Sequence, residues 1–327
     1  MYMKLKDGKS KVLTLSYDDG VVQDIRLMEI LDRNGIKATF NINTGMYLPE
    51  DTVREKYYGR MKLSEALALY KDSGHEVAVH GLTHPALDRI PTDEALTEIL
   101  EDRKNIEKQY GTLARGMAYP GGTYSQTVMD ELKLCGICYA RTIKSTEQVT
   151  FPQNWLEWHP TCHHKNPKLM ELTRRFVDES PRYGNQVWML YVWGHSFEFD
   201  NQDNWHIIEE FARYAGGKED IWYATNIEIY DYVVMPDHVH ILLHIHERLP
   251  KHIGRYLCWF KIRCSSLVGY TTSTKPSDQT SLFAPNYHDR ILKGKDQLSH
   301  MKRYIQDNPR RLALKRANKE LFRIHQD

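Results

Sequence analysis

The run VLTLSYDDG, residues 12–20, decides the reading of this chain. Its first six residues are strand formers, and Asp18, Asp19 and Gly20 end the strand with two carboxylates at its C-terminal tip. Similar short runs recur as ATFNIN (38–43), EVAVH (76–80), RGMAYP (115–120), ICYARTI (137–143) and VWMLYVW (187–193). Between them, Val22 to Asn34, Ser64 to Ser73 and Thr92 to Tyr110 read as helices. The last has Ala95, Ile99 and Ile106 with charges between them and a start signal at Pro91 to Glu94. Strands alternating with helices mean parallel strands joined by crossovers, hence an α/β sheet or barrel. Asn204 to Ala215 and Ile221 to Val233 read as the closing elements of this unit.

In a parallel α/β barrel the carboxyl ends of the strands share one face, where loops build the site. That is where the chemistry-bearing residues of this chain fall. Asp18 and Asp19 follow the first strand, and His80 ends EVAVH with His84 four residues on. Tyr119, Pro120, Gly121 and Gly122 follow RGMA, and His195 follows VWMLYVWG. One carboxylate with two imidazoles leaves positions open on Zn²⁺ or a similar ion for water and substrate. Backbone N–H groups of the Tyr119 to Gly122 turn can approach an oxyanion closely because of the glycines.

LSYDDG, HGLTH, AYPGG and LYVWGH, in this order, resemble the motifs of the NodB-like polysaccharide deacetylases, carbohydrate esterase family four, over about residues 10–232. The resemblance implies an irregular (β/α) barrel and a metal-dependent removal of N-acetyl groups from an amino-sugar polymer or oligosaccharide. It makes Asp18 the general base, Asp19, His80 and His84 the metal ligands, and His195 the general acid. Zn²⁺ is the expected ion, with Co²⁺, Ni²⁺ or Mn²⁺ as alternatives.

The family often carries an arginine two residues before the motif proline to steady the catalytic aspartate; here that position is Ala118. Arg115 and Arg141 are the candidates to replace it, or else serve as structural ion-pair partners. WLEWHPTCHH, residues 155–164, is aromatic and polar enough to line a sugar site, with Trp158 as the candidate ring, or is a loop pinned by buried tryptophans. Five cysteines in a chain of this size do not suggest a disulfide scaffold. Cys135 and Cys138 in CGIC, joined by Cys162, His163 or His164, offer a structural zinc set; the alternative is two small buried thiols around Gly136, where a helix ends before a strand.

The composition, 41% hydrophobic and 27% charged over 327 residues, is that of a globular protein with room for a large core. No apolar run approaches the roughly 18 residues of a membrane span, and the lysine-bearing start at Met1 to Lys11 is followed by no signal-like apolar run. The expectation is a cytoplasmic protein with no membrane partner. The charge is divided. Residues 1–232 carry 27 Lys+Arg against 35 Asp+Glu, a net of −8, whereas residues 233–327 carry 17 against 8, a net of +9. A basic tail points to weak, non-specific DNA binding or to a solvated face.

Near Tyr232 the texture changes. In DHVHILLHIH a strand period of two puts His238, His240, His244 and His246 on one face. Tyr304 and Asn308 lie four apart on a predicted helix. VVMPDHVHILL, NYHDRIL and YIQDNPRR resemble the single-tyrosine HUH transposases of the REP-associated and insertion-sequence type, over residues 232–327 only. The resemblance makes His238 and His240 ligands of Mg²⁺ or Mn²⁺, Tyr304 the nucleophile and Asn308 a further ligand. A complete domain of that kind has further strands and a helix upstream, so the expectation is a truncated, partial α+β (ferredoxin-like) unit at 233–327, inherited but inactive. The rival is a working single-strand DNA enzyme.

Overall fold

The computed structural model describes residues 5–53, 59–181 and 187–233. Eight strands build one sheet: β1 (Lys11–Asp18), β2 (Ala38–Ile42), β3 (Glu76–Val79), β4 (Gly116–Ala118), β5 (Tyr139–Arg141), β6 (Cys162–His163), β7 (Trp188–Gly194) and β8 (Ile221–Tyr223). Their order is β5-β4-β3-β2-β1-β7-β6, with β8 also on β1. Every strand pairing within it is parallel. The sheet curls into a half-barrel, the expected architecture. The helices are α1 (Asp24–Arg33), α2 (Leu63–Tyr70), α3 (Thr92–Tyr110), α4 (Gln126–Leu134), α5 (Leu169–Asp178), α6 (Phe197–Asn201), α7 (His206–Ala215) and α8 (Asn226–Val233).

All eight residues of β1 are buried, because a parallel strand is covered on both faces. Even Lys11 is enclosed, its ammonium donating to the Val177 carbonyl at 2.7 Å and pairing with Asp220 at 3.0 Å. The helices cover the sheet with apolar faces: α5 buries Leu169, Leu172 and Phe176, and α7 buries Ile208, Phe211 and Ala215. Each such side chain is worth about 1.5–3 kcal/mol when removed from water. Gly136 takes φ +71° just after α4, the conformation a glycine adopts most cheaply. The chain can therefore turn from α4 back toward β5.

The last described residues close the sheet. β1 pairs on one edge with two strands in turn: Leu15 to Asp18 face β2, and Lys11 to Leu13 face β8. Asn226, at the start of α8, is fully buried and fully used. Its Oδ1 accepts from Thr14, its Nδ2 donates to the Tyr191 hydroxyl and its N–H donates to Thr39 Oγ1. Arg115 forms a two-pronged ion pair with Asp231. No helix among the described residues is long and apolar enough to cross a membrane. His238, His240, Tyr304 and Asn308 lie outside the described residues.

Candidate active site

Asp18, Asp19, His80 and His195 converge from the C-terminal ends of β1, β3 and β7, and His84 joins them from the loop after β3. Asp19 Oδ1 lies 3.9 Å from His80 Nε2 and 3.8 Å from His84 Nε2. His80 is 1% exposed, and its Nδ1 lies 2.8 Å from the Ala118 carbonyl. A carbonyl only accepts, so Nδ1 carries the proton and Nε2 turns a bare lone pair toward the carboxylates. That Nε2 is buried with no hydrogen-bond partner. An orphaned imidazole nitrogen beside a carboxylate oxygen is the donor set of a borderline divalent cation, so the residues fit one.

Two of these three residues occupy the left-handed backbone region, Asp19 at φ +86° and His84 at φ +64°. Non-glycine residues held there cost on the order of 1–3 kcal/mol each and cluster at functional sites. Asp19 is held by Arg60, whose guanidinium donates to the Asp19 carbonyl, to Asp19 Oδ1 at 3.0 Å and to Asn43 Oδ1 at 2.6 Å. Asn43 in turn donates to the carbonyls of His80 and Gly81. Asp102 of α3 fixes the same strand ends, accepting from Thr44 and from the His80 N–H. Burial pushes its carboxyl up to about 6, against those hydrogen bonds.

Asp18 is 2% exposed. Asn41 donates to its Oδ1 at 2.8 Å, and Arg141 donates to its Oδ2. Burial alone would raise its pKa, but the charges of Arg141, His80 and His195 and the Arg141 hydrogen bond hold it at about 2. Arg141 therefore occupies the place beside Asp18, while Arg115 is engaged with Asp231. His195 Nε2 faces both aspartates, 3.9 Å from Asp18 Oδ2 and 4.0 Å from Asp19 Oδ2. Burial would lower its pKa, yet Glu198 and the two aspartates more than offset this and raise it.

The turn after β4 carries Pro120, Gly121 at φ +61° and Gly122 at φ +74°. Two of its N–H groups are spent inside the protein: Tyr119 donates to the Arg141 carbonyl and Gly122 to the Tyr119 carbonyl. Pro120 has none. This narrows the expected oxyanion donors to Gly121.

Trp158 departs from its expected role as a sugar-lining ring. It is fully buried, packed edge-on against Tyr139, Trp155 and Tyr191, and belongs to the core. The zinc set around CGIC does not form either. Cys135, Cys138 and Cys162 are free thiols, burial pushes Cys138 and Cys162 up to about 12, and no cysteine joins a ligand cluster among the described residues. His163 and His164 meet Glu198 instead. Burial holds the His164 imidazole down to about 4 despite that carboxylate. The residues invisible to sequence reading are Asn41, Asn43, Arg60, Asp102 and Glu198, none of which sits in a local motif. Only their position one step behind a strand end could have marked them.

A parallel, curled α/β sheet with a carboxylate and imidazole cluster at its strand C-termini is a (β/α) half-barrel with its candidate site at the carboxyl ends of the strands. Residues 5–140 match the family model described as polysaccharide deacetylase, and residues 212–308 match that described as IS200-like transposase. Both resemblances drawn from the motifs are thus recovered. The chain is 27% identical over 131 residues to the peptidoglycan-N-acetylglucosamine deacetylase PgdA of Listeria monocytogenes. That alignment covers 39% of this chain and 25% of the relative, so the chain spans about a quarter of the length of that relative. Among solved structures it is similar to a family 4 carbohydrate esterase from Streptomyces lividans, with a TM-score of 0.43, 17% identity, and 65% of this chain and 91% of that one covered. It is also similar to the peptidoglycan deacetylase PdaC from Bacillus subtilis, with a TM-score of 0.42, 18% identity, and 68% and 92% covered.

Proposed function

We propose that the barrel is a metal-dependent hydrolase that removes N-acetyl groups from an amino-sugar glycan. The observation that carries this reading is the convergence of Asp18, Asp19, His80, His84 and His195 on one point, with the His80 Nε2 lone pair buried and unpartnered there. Asp19, His80 and His84 would hold the cation, Zn²⁺ before Co²⁺, Ni²⁺ or Mn²⁺. When bound, it supplies Lewis acidity toward the amide carbonyl and the attacking water. Asp18, kept ionised by Arg141, takes the proton from that water. In this reading the Gly121 N–H donates to the developing oxyanion. His195, its pKa raised against burial by Glu198 and the two aspartates, delivers a proton to the departing amine.

The test is acetate release from a panel of N-acetylglucosamine oligomers, with and without chelator. Turnover should be lost with chelator and in His84→Ala. Asp18→Asn and His195→Ala should keep the metal and lose on the order of 10² to 10⁴ in rate. Full metal content and turnover in His84→Ala would end the ligand assignment.

A second reading is favoured by the transposase match alone: covalent attachment of single-stranded DNA through Tyr304, with His238, His240 and Asn308 around Mg²⁺ or Mn²⁺. Against it, the match begins at residue 212, and residues 212–233 are already built into the barrel as the end of α7, β8 and α8. We infer that this unit is inherited without its chemistry.

A further inference from the structure

We propose that His163 Nε2, His164 Nε2 and Glu198 Oε2 form a second divalent-cation site, on the far side of the His195 ring from Asp18 and Asp19. Glu198 Oε2 lies 3.2 Å from each of the two Nε2 atoms. Ligand atoms that far apart subtend about 100° at a cation roughly 2.1 Å from each, between the tetrahedral and octahedral edges. His195 closes the arrangement, with its Nδ1 3.7 Å from the same carboxylate oxygen.

Glu198 Oε2, His195 Nδ1 and both nitrogens of His164 are buried with no hydrogen-bond partner of proper geometry. His164 is 1% exposed. His164 Nδ1 lies against Gly194, but His164 Nε2 and His195 Nδ1 both face Glu198 Oε2; buried polar atoms left unpaired are costly, so their meeting marks a place for an ion they share.

The local fold builds the cluster. Adjacent residues of a strand face opposite ways, but β6 ends at His163, and the chain turns so that both rings reach Glu198, their centroids 4.5 Å apart. His164 is stacked on Phe199 at 4.2 Å, and its Nδ1 lies only 2.0 Å from where a Cβ on Gly194 would stand. The glycine before His195 therefore makes room for this ring. His163 Nδ1 accepts the Lys165 N–H at 3.1 Å, which keeps the ring proton on Nε2 in the neutral form. That bond is solvent-exposed, so water can satisfy the Lys165 N–H when the proton moves to Nδ1 and Nε2 is freed. Lys165 Nζ binds the other oxygen of Glu198, at 2.6 Å, and leaves Oε2 for the cation.

Two imidazoles and one carboxylate select a late first-row ion such as Zn²⁺, Co²⁺ or Ni²⁺ over Mg²⁺ or Ca²⁺. The experiment counts equivalents of Co²⁺ and Zn²⁺ bound to the full chain by elemental analysis and equilibrium dialysis, with circular dichroism as the check on folding. Glu198→Gln and His163→Ala should each lose one equivalent relative to the parent. His84→Ala should keep that equivalent and lose a different one, and the double variant His84→Ala/Glu198→Gln should lose two. Parent-like stoichiometry in folded Glu198→Gln and His163→Ala would overturn the site. Failure of the first-site assignment looks different, as parent-like stoichiometry in His84→Ala.

Discussion

Arg141 and Asp18, 123 positions apart in the chain, meet as a buried charge-assisted hydrogen bond at the ends of β5 and β1. Removing one partner of such a pair strands the other charge, which costs about 3–5 kcal/mol. Arg141→Met should therefore lower the denaturation midpoint markedly. It should also move the acidic limb of the acetate-release profile to higher pH, because burial then raises the Asp18 pKa with less opposition. An acidic limb that stays in place would show that Arg141 does not set the base.

Glu198 acts on the opposite limb. In the proposed reaction His195 is the acid, and Glu198 and the two aspartates raise its pKa against burial. Activity should fall as pH rises through that pKa. In Glu198→Gln the fall should begin at lower pH, with up to about tenfold lost at a fixed alkaline pH for each unit of displacement. Superimposable profiles would separate Glu198 from proton delivery.

Asp24 predicts a stability that falls with pH. Burial raises its carboxyl to about 7, although Ser196 and Tyr70 donate to it. A folded-state pKa above the unfolded value gives stability that is present at low pH and lost as pH rises from about 4 through about 7. For one fully buried group this amounts to on the order of 4 kcal/mol. Denaturant melts at pH 4.5 and pH 8 should show that Asp24→Asn gains relative to the parent as pH rises. A constant difference between the two proteins would refute the assignment.

The basic tail is tested by its chemistry. Hairpin-bearing single-stranded DNA incubated with Mg²⁺ or Mn²⁺ should give no covalent adduct. Binding should be weak and nearly sequence-indifferent, and should weaken steeply with salt. An adduct that disappears in Tyr304→Phe would make the chain bifunctional.

The strands that carry the site were legible because a fully buried parallel strand is a continuous apolar run, and the residue ending it is conspicuous. Asp18, Asp19, His80 and His195 all stand at such ends. β6 was not legible, since two residues leave no periodicity to detect. Nor was α5, of ten residues, whose apolar positions are interrupted by charges. Trp158 misled because an aromatic residue beside polar ones reads alike in a sugar cleft and under a loop. The residues that brace the site, Asn41, Asn43, Arg60, Asp102 and Glu198, gain their roles only from the packing of distant segments.

The docking of β8 and α8 changes where this molecule can be divided. A gene cut at residue 211, just before the IS200-like transposase match begins, would strip Lys11 to Leu13 of their β8 partner and Thr14, Tyr191, Thr39 and Arg115 of their partners on α8. Cut after Val233, the barrel keeps its last stave. The start of the IS200-like transposase match at residue 212 and the end of α8 at Val233 are thus about twenty residues apart, so a cut placed at the match boundary would remove part of the barrel.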